Sequence, residues 1–251
     1  MEMLEGTENK EDRRIEGRRV EEGLKKERED NIKKEEVIYQ IRNLKEKKAT
    51  GEDGLENEVW KYAPKKVGEA LWEMLRKIWN GEGIPEDWRK GVICPIYKRG
   101  EKVKVKSYRG VTLMDIAYKI YAGILDERLK VEIENKLGES QFGFRKGRGV
   151  IDAVVSRKKL EERMRRMGVN EKLIRRIKEI YEETRNVVRI RNHNTKEFWT
   201  VRGVRQGCPL SPTLFNIYMA GLEEELRKGQ AGDIVLETER YGHYHMQMTL
   251  C

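Results

Sequence analysis

The chain has 251 residues, 37% hydrophobic and 39% charged, with a formal net charge of +9 at pH 7. That length suits one sizeable domain, or one domain with an attached arm. No apolar run approaches the length of a membrane span, and the acidic start does not resemble a signal peptide. Three widely separated cysteines without a CxxC spacing suit a reducing compartment. We therefore expect an intracellular protein, cytoplasmic or nuclear, with no membrane partner.

The positive charge is confined to one part of the chain. Residues 1–34 carry 10 basic and 11 acidic residues, and their few apolar positions predict a solvated helix or a disordered lead-in. The rest of the chain holds 43 basic and 33 acidic residues, a net charge of +10. Such a surface attracts polyanions, although charge alone also fits a generic basic protein.

Hydrophobic spacing predicts two helices and a strand in the first hundred residues. Apolar side chains in residues 35–44 fit a short helix, and the Gly-containing segment 50–54 breaks the pattern. A second helix is predicted to close at Asn80-Gly81, since glycine readily ends helices. Residues 92–97 form a short apolar run before a basic turn at 98–100, which is typical of a strand.

The remainder predicts a core helix, a hairpin and a final helix. Residues 113–137 carry two adjacent rows of apolar side chains repeating every four residues, closed by Gly138. Residues 187–190 and 198–201 flank a turn at 192–194 and predict a β-hairpin. Ser211-Pro212 is a favourable helix start, with the serine as N-cap and proline in the first turn.

The strongest motif is the run VRQGCPLSPTLFN at residues 204–216. Gly207 allows the backbone to approach a ligand closely, and Gln206 stands where its amide can reach a bound nucleotide. The alternative reading is a simple loop-to-helix connection.

This run resembles the motif that follows the first catalytic strand of reverse transcriptases. Other segments agree with that family in order: KATGEDG at 48–54, WRKGVICPIYKRG at 88–100 followed by 107–113 and 118–120, and QFGFRKGRG at 141–149. Over roughly residues 35–232, with one gap, the chain is similar to the reverse-transcriptase domain of a non-LTR (LINE-type, jockey-like) retrotransposon. It resembles a truncated copy of that domain.

The resemblance implies a helix-rich α+β fold shaped like a right hand. Fingers would span residues 35–150 and a partial palm 151–232, after the lead-in 1–34 and before an off-pattern tail 233–251. No thumb is expected.

The resemblance also implies where a nucleotide would bind. Lys98 and Arg109 would meet the triphosphate of an incoming dNTP, and Gln206 with Gly207 would form part of the pocket. Arginine suits this role because its planar fork binds phosphate through paired hydrogen bonds. Contacts to an RNA template and a DNA primer are expected from three further basic residues: Arg145, Lys146 and Arg148.

The carboxylates that polymerisation needs are missing from the sequence. The family uses two Mg²⁺ ions held by an Asp on a palm strand and by a Tyr-Ala-Asp-Asp hairpin. Val155 instead passes directly into the helix-like run 156–163, and residues 241–251 contain no such hairpin motif. His243 and His245 lack a third ligand. We predict no catalytic residues and no bound metal.

Three hypotheses follow. The first is a reverse transcriptase that is inactive because both carboxylate motifs are missing. The second is a non-catalytic, basic nucleic-acid-binding remnant, and the third is a structural helical protein, which leaves the motif at 204–216 unexplained. The gap near 155/156 is either a real deletion or a falsely predicted intron.

Overall fold

The computed structural model describes residues 30–134, 136, 155–191 and 193–228, with only the backbone described for 221–228. The helices in these ranges are α1 (Lys34–Arg42), α2 (Asn57–Lys61), α3 (Lys65–Asn80), α4 (Ile116–Ile133), α5 (Arg157–Arg166), α6 (Glu171–Glu179) and α7 (Ser211–Lys228). The strands are β1 (Lys90–Tyr97), β2 (Tyr108–Leu113), β3 (Arg185–Ile190), β4 (His193–Asn194) and β5 (Phe198–Trp199). Two short 3-10 helices span Glu86–Arg89 and Val105–Ser107.

The strands form one mixed sheet in the order β2-β1-β3-β4, and β5 also pairs with β3. β1 and β2 are antiparallel, with Val92 opposite Leu113. β1 and β3 are parallel, with Val92 opposite Val187. A parallel pair needs a long crossover connection, and the connection here includes α4, α5 and α6.

Helix α4 lies at the centre of the hydrophobic core. Twelve of its 18 residues are buried. This burial is possible because apolar residues lie on most sides of the helix. Helices α1, α6 and α7 pack against it, and α3 packs against α1. Leu125 and Leu129 are completely enclosed. The prediction that this segment forms a core helix is confirmed.

The predicted helix boundaries hold in one case and shift in another. α3 ends where expected: Gly81 has a φ of 96° and donates its N–H to the Ile78 carbonyl at 3.0 Å. The long helix begins at Ile116, so placing Leu113 on it was wrong, because Leu113 pairs with Val92 in the sheet. α4 ends at Ile133, short of the predicted end, and residue 138 lies outside the described residues.

The predicted hairpin is confirmed, since β3 and β5 pair antiparallel with Arg185 opposite Trp199. The turn predicted at 192–194 was wrong in part, because His193 and Asn194 form β4 and pair with β3; residue 192 lies outside the described residues. The final helix is confirmed as α7, but Ser211 is its first residue and not its N-cap. The Ser211 hydroxyl donates to the Arg205 carbonyl at 2.7 Å, so it stabilises the preceding loop.

The mixture of helices and strands agrees with the predicted fold class. Strands from both the fingers range (35–150) and the palm range (151–232) belong to the same sheet, and the division between these ranges stays a prediction. The tail at 233–251, and the lead-in up to residue 29, lie outside the described residues. Among the helices that are described, none is both long and apolar enough to cross a bilayer.

Candidate nucleotide site

The β1–β2 hairpin places Lys98 and Arg109 on the same face of the sheet. Arg109 lies opposite Ile96, and the Lys98 N–H donates to the Ser107 carbonyl at 2.8 Å just beyond β1. Side chains alternate along a strand, and residues directly opposite each other point to the same side. Lys98 is exposed and Arg109 is half-buried. This face therefore carries two neighbouring cations.

The loop before α7 lies along the outer edge of β2. The Thr112 N–H donates to the Gln206 backbone carbonyl at 2.8 Å. The Gln206 side-chain amide lies between the Arg109 guanidinium and the Gly110 carbonyl. With its oxygen toward Arg109, it accepts from Nε and Nη2 and donates to the carbonyl. The structure thus brings Arg109 and Gln206, two of the predicted nucleotide-binding residues, into direct contact.

Gly207 is required by this close approach. Its φ is 112°, and a Cβ at this position would lie 2.8 Å from the Thr112 carbonyl oxygen. Larger residues rarely adopt that backbone conformation, so the loop and β2 can meet only through glycine. The close approach that the structure shows is to β2, and the predicted approach to a ligand stays a prediction.

Arg205 anchors the loop before α7 to the segment that precedes β1. The sequence analysis did not identify this residue. Its side chain is buried, and it donates to the Trp88 carbonyl at 2.8 Å and the Arg89 carbonyl at 2.6 Å. Its guanidinium also lies 5.1 Å from the centroid of the Tyr118 ring. These contacts fix the residue next to Gln206. Sequence spacing does not separate such an arginine from a surface one.

Two buried tyrosines complete this support. The Tyr118 hydroxyl lies 3.5 Å from the Cys208 sulfur, and the Tyr181 hydroxyl lies 3.1 Å from the Ser211 hydroxyl. Burial raises the pKa of both phenols well above the usual value, so they remain neutral hydrogen-bonding groups near neutral pH. They connect the loop to the helical core.

The segment at 48–54 packs against the N-terminus of α4. The Asp53 N–H donates to Asp115 Oδ1 at 3.3 Å, and a Cβ on Gly51 would lie 2.6 Å from the Asp115 nitrogen. Burial, followed by repulsion from the Asp53 carboxylate, raises the pKa of Asp115. Its Oδ1 serves as a local hydrogen-bond acceptor for the Asp53 backbone.

The described residues do not fit the Mg²⁺ pair that the family uses. In these ranges no group of three or more His, Cys, Asp or Glu side chains is arranged to hold a metal ion.

Several predicted features lie at or beyond the edge of the described ranges. Arg145, Lys146 and Arg148, which were expected to contact nucleic acid, lie outside them. After the predicted gap, Val155 is buried and its carbonyl accepts from the Gly203 N–H at 2.9 Å. The helix expected next is present as α5.

Comparisons with known proteins find similarity to transposon reverse transcriptases. Residues 153–244 match the family described as reverse transcriptase (RNA-dependent DNA polymerase). The chain is 26% identical over 250 residues to the "Transposon TX1 uncharacterized 149 kDa protein" of Xenopus laevis, covering 88% of this chain and 19% of that protein. It is 25% identical over 224 residues to the "Probable RNA-directed DNA polymerase from transposon BS" of Drosophila melanogaster, covering 76% of this chain and 25% of that protein.

A third relative is the "RNA-directed DNA polymerase from mobile element jockey" of Drosophila melanogaster, 31% identical over 114 residues, which are 44% of this chain and 12% of that protein. The chain thus spans between 12% and 25% of the length of these curated relatives. The matched family, the relatives and the motif at Gln206-Gly207 agree with one another, and they make the chain similar to the reverse transcriptases of non-LTR retrotransposons.

Proposed function

We propose that this chain is a reverse transcriptase domain that holds a nucleotide but does not polymerise it. Lys98 and Arg109 would bind the polyphosphate, and Gln206-Gly207 would line the pocket beside them. The observation that carries this proposal is the direct contact between Gln206 and Arg109 on the cationic face of the sheet. We propose that the chain derives from a longer polymerase whose partners were an RNA template, a DNA primer and a dNTP. The full activity of such a polymerase is not proposed for this chain.

The proposed lack of polymerisation rests on an internal feature of the sequence. Nucleotide addition needs metal ions to activate the primer hydroxyl and to stabilise the leaving pyrophosphate. Val155 is followed directly by Ser156 and the start of α5 at Arg157, so between these described residues there is no room for the Asp-bearing strand that the family carries before this helix. The family cofactor Mg²⁺ would therefore lack the first of its carboxylates.

Primer extension tests the inactivity. Purified full-length chain is incubated with an oligo(dT)-primed poly(rA) template and dTTP, in Mg²⁺ and separately in Mn²⁺. We expect no extension with either metal, and measurable extension would overturn the proposal of an inactive enzyme.

Nucleotide binding is tested separately with a fluorescent dNTP analogue. Arg109→Ala should weaken binding by about tenfold or more, because hydrogen bonds to a charged group contribute about 1.5–3 kcal/mol. Arg42→Ala removes an exposed arginine on α1 and serves as the matched control. Equal affinity in both variants would show that Arg109 is not part of the site.

A second candidate function is non-catalytic binding of nucleic acid. The concentration of positive charge outside residues 1–34 favours it. Binding of this kind should weaken steeply with salt, because cations that neutralise phosphates release counterions. Between about 50 and 200 mM salt, the affinity of a strong phosphate binder falls by about 1000-fold. An RNA affinity that does not change over this range would count against nucleic-acid binding.

A further inference from the structure

Residues 185–202, here called the basic hairpin, combine positive charge with exposed aromatic side chains. They contain five Lys or Arg residues and one acidic residue, a net charge of +4. Trp199 is 61% exposed and Phe198 is 41% exposed. A tryptophan that contributes so little to the core is unusual, since this residue is normally well buried. The feature lies outside the nucleotide site proposed above.

Arg185 holds the Trp199 ring from one side. The two residues lie opposite each other in the sheet, and the guanidinium carbon is 5.4 Å from the ring centroid. Arg185 is itself paired with Glu86 and, at 3.7 Å, with Glu197. The ring is therefore fixed in orientation while most of its surface stays open, which is the arrangement of a stacking platform.

Further cations lie along the basic hairpin. Arg189 shares a sheet face with Arg185 and lies about 13 Å further along β3, at about 3.3 Å per residue. Arg191, Lys196 and Arg202 are exposed, and none of the three forms an ion pair with another described residue. Cations without acidic partners leave a surface that favours a polyanion.

The base of the basic hairpin is rigid. Arg157, at the start of α5, donates to the Gly203 carbonyl at 3.1 Å and to the Thr200 carbonyl at 2.9 Å. The Asn186 amide donates to the Thr200 hydroxyl at 2.6 Å. A platform on a fixed base loses little conformational entropy when it binds.

We propose that the basic hairpin binds single-stranded nucleic acid, with an unpaired base stacked on Trp199 and phosphates on the surrounding cations. Charge complementarity selects a nucleic acid, because a protein partner would have to supply acidic groups for at least three cations that have no ion-pair partner within the described ranges. The open ring selects a single strand, because bases in a duplex have no free face for stacking. That the partner is a nucleic acid rests on the proposed function, whereas the basic hairpin is a contact surface separate from the nucleotide site.

The test measures fluorescence anisotropy of labelled 12-nucleotide oligouridine and oligothymidine, and of a duplex of the same length, with the full chain. Trp199→Ala should lower single-strand affinity about tenfold, since stacking on one aromatic ring contributes that much per base. Trp199→Phe should retain most of the affinity. Tyr39→Ala removes an aromatic residue that is 56% exposed on α1 and should have no effect. Comparison of oligouridine with oligothymidine distinguishes RNA from DNA as the bound strand.

The charges are tested by a double variant, Arg191→Gln with Arg202→Gln. The slope of log affinity against log salt should fall by about 1.4, since each phosphate contact on a single strand contributes about 0.7. Circular dichroism melting confirms that each variant is folded.

Three results would overturn the proposal. Trp199→Ala could bind as tightly as the unmodified chain, or the duplex could bind as tightly as the single strands. Light scattering could instead show that Trp199→Ala dissociates a dimer, which would make the hairpin a contact between copies of this chain. Failure of the nucleotide site is distinguishable, because Trp199→Ala should leave binding of the fluorescent dNTP analogue unchanged.

Discussion

The helices around α4 and the outer half of the sheet use apolar residues in opposite ways. Leu125 on α4 is completely enclosed, whereas Ile96 on β1 is 53% exposed and Trp199 on β5 is 61% exposed. β1 itself shows the change, since it is buried near its start and exposed over its last three residues. The candidate binding residues lie on or beside the part of the sheet that is not covered by the core. Changes in the core should therefore alter stability, and changes at the outer sheet should alter binding.

The largest effect is expected from Leu125→Ala in α4. Removing an enclosed leucine side chain leaves a cavity and costs about 3 kcal/mol, within the usual range of about 2–5. Urea denaturation followed by circular dichroism measures the loss. Val131→Ala on the same helix is the matched control, because Val131 is 76% exposed. Equal losses in the two variants would contradict the assignment of α4 as the centre of the core.

Arg205 tests the boundary between the two regions, because it is buried yet supports the loop of the nucleotide site. Arg205→Ala should cost about 2 kcal/mol, since it leaves the Trp88 and Arg89 carbonyls without a charged donor. It should also weaken binding of the fluorescent dNTP analogue, because Gln206 loses its anchor.

Arg202→Ala provides the control for Arg205, as Arg202 is exposed three residues away. Its effect on the free energy of unfolding should stay within about 0.5 kcal/mol. If Arg205→Ala reduced stability but left nucleotide affinity intact, the anchoring role would be wrong and only the structural role would remain.

Local patterns in the sequence were sufficient to predict the helices and strands that bury one face. Period and termination signals gave α3, with its end at Gly81, and the hairpin of β3 and β5. Leu113 was misassigned because a single apolar residue before a core helix fits the helical period equally well. Only the pairing of Leu113 with Val92 across β1 and β2 decides its place, and that contact joins residues far apart in sequence.

The site was less predictable than the fold. The family motifs identified Arg109 and Gln206, and the structure brings their side chains together. Arg205, which is buried, and Arg157, which is half-buried, were not singled out, because such an arginine looks like a surface arginine in a chain with this many charges. Their importance comes from the hydrogen bonds that they donate to backbone carbonyls of residues distant in sequence, which no spacing rule contains.

Asp115 offers the smallest and most selective test, since it joins the segment at 48–54 to the start of α4. Burial raises its pKa, with a further contribution from the Asp53 carboxylate, while Lys119 also lies nearby. A raised carboxyl pKa in the folded state means that ionisation opposes folding. The protonated form therefore favours the native state at low pH, and this contribution is lost as pH rises through the folded pKa.

Asp115→Asn should then stabilise the chain at pH 7 relative to the unmodified protein, and the gain should shrink as pH falls toward 4. Asparagine keeps an oxygen for the Asp53 N–H and remains favourable before a helix, so the change removes the charge with little change in shape. Urea denaturation of both proteins at several pH values measures the difference. A variant that is less stable at pH 7, or whose difference does not change with pH, would show that the Asp115 carboxylate stabilises the helix start and that its burial is not the dominant effect.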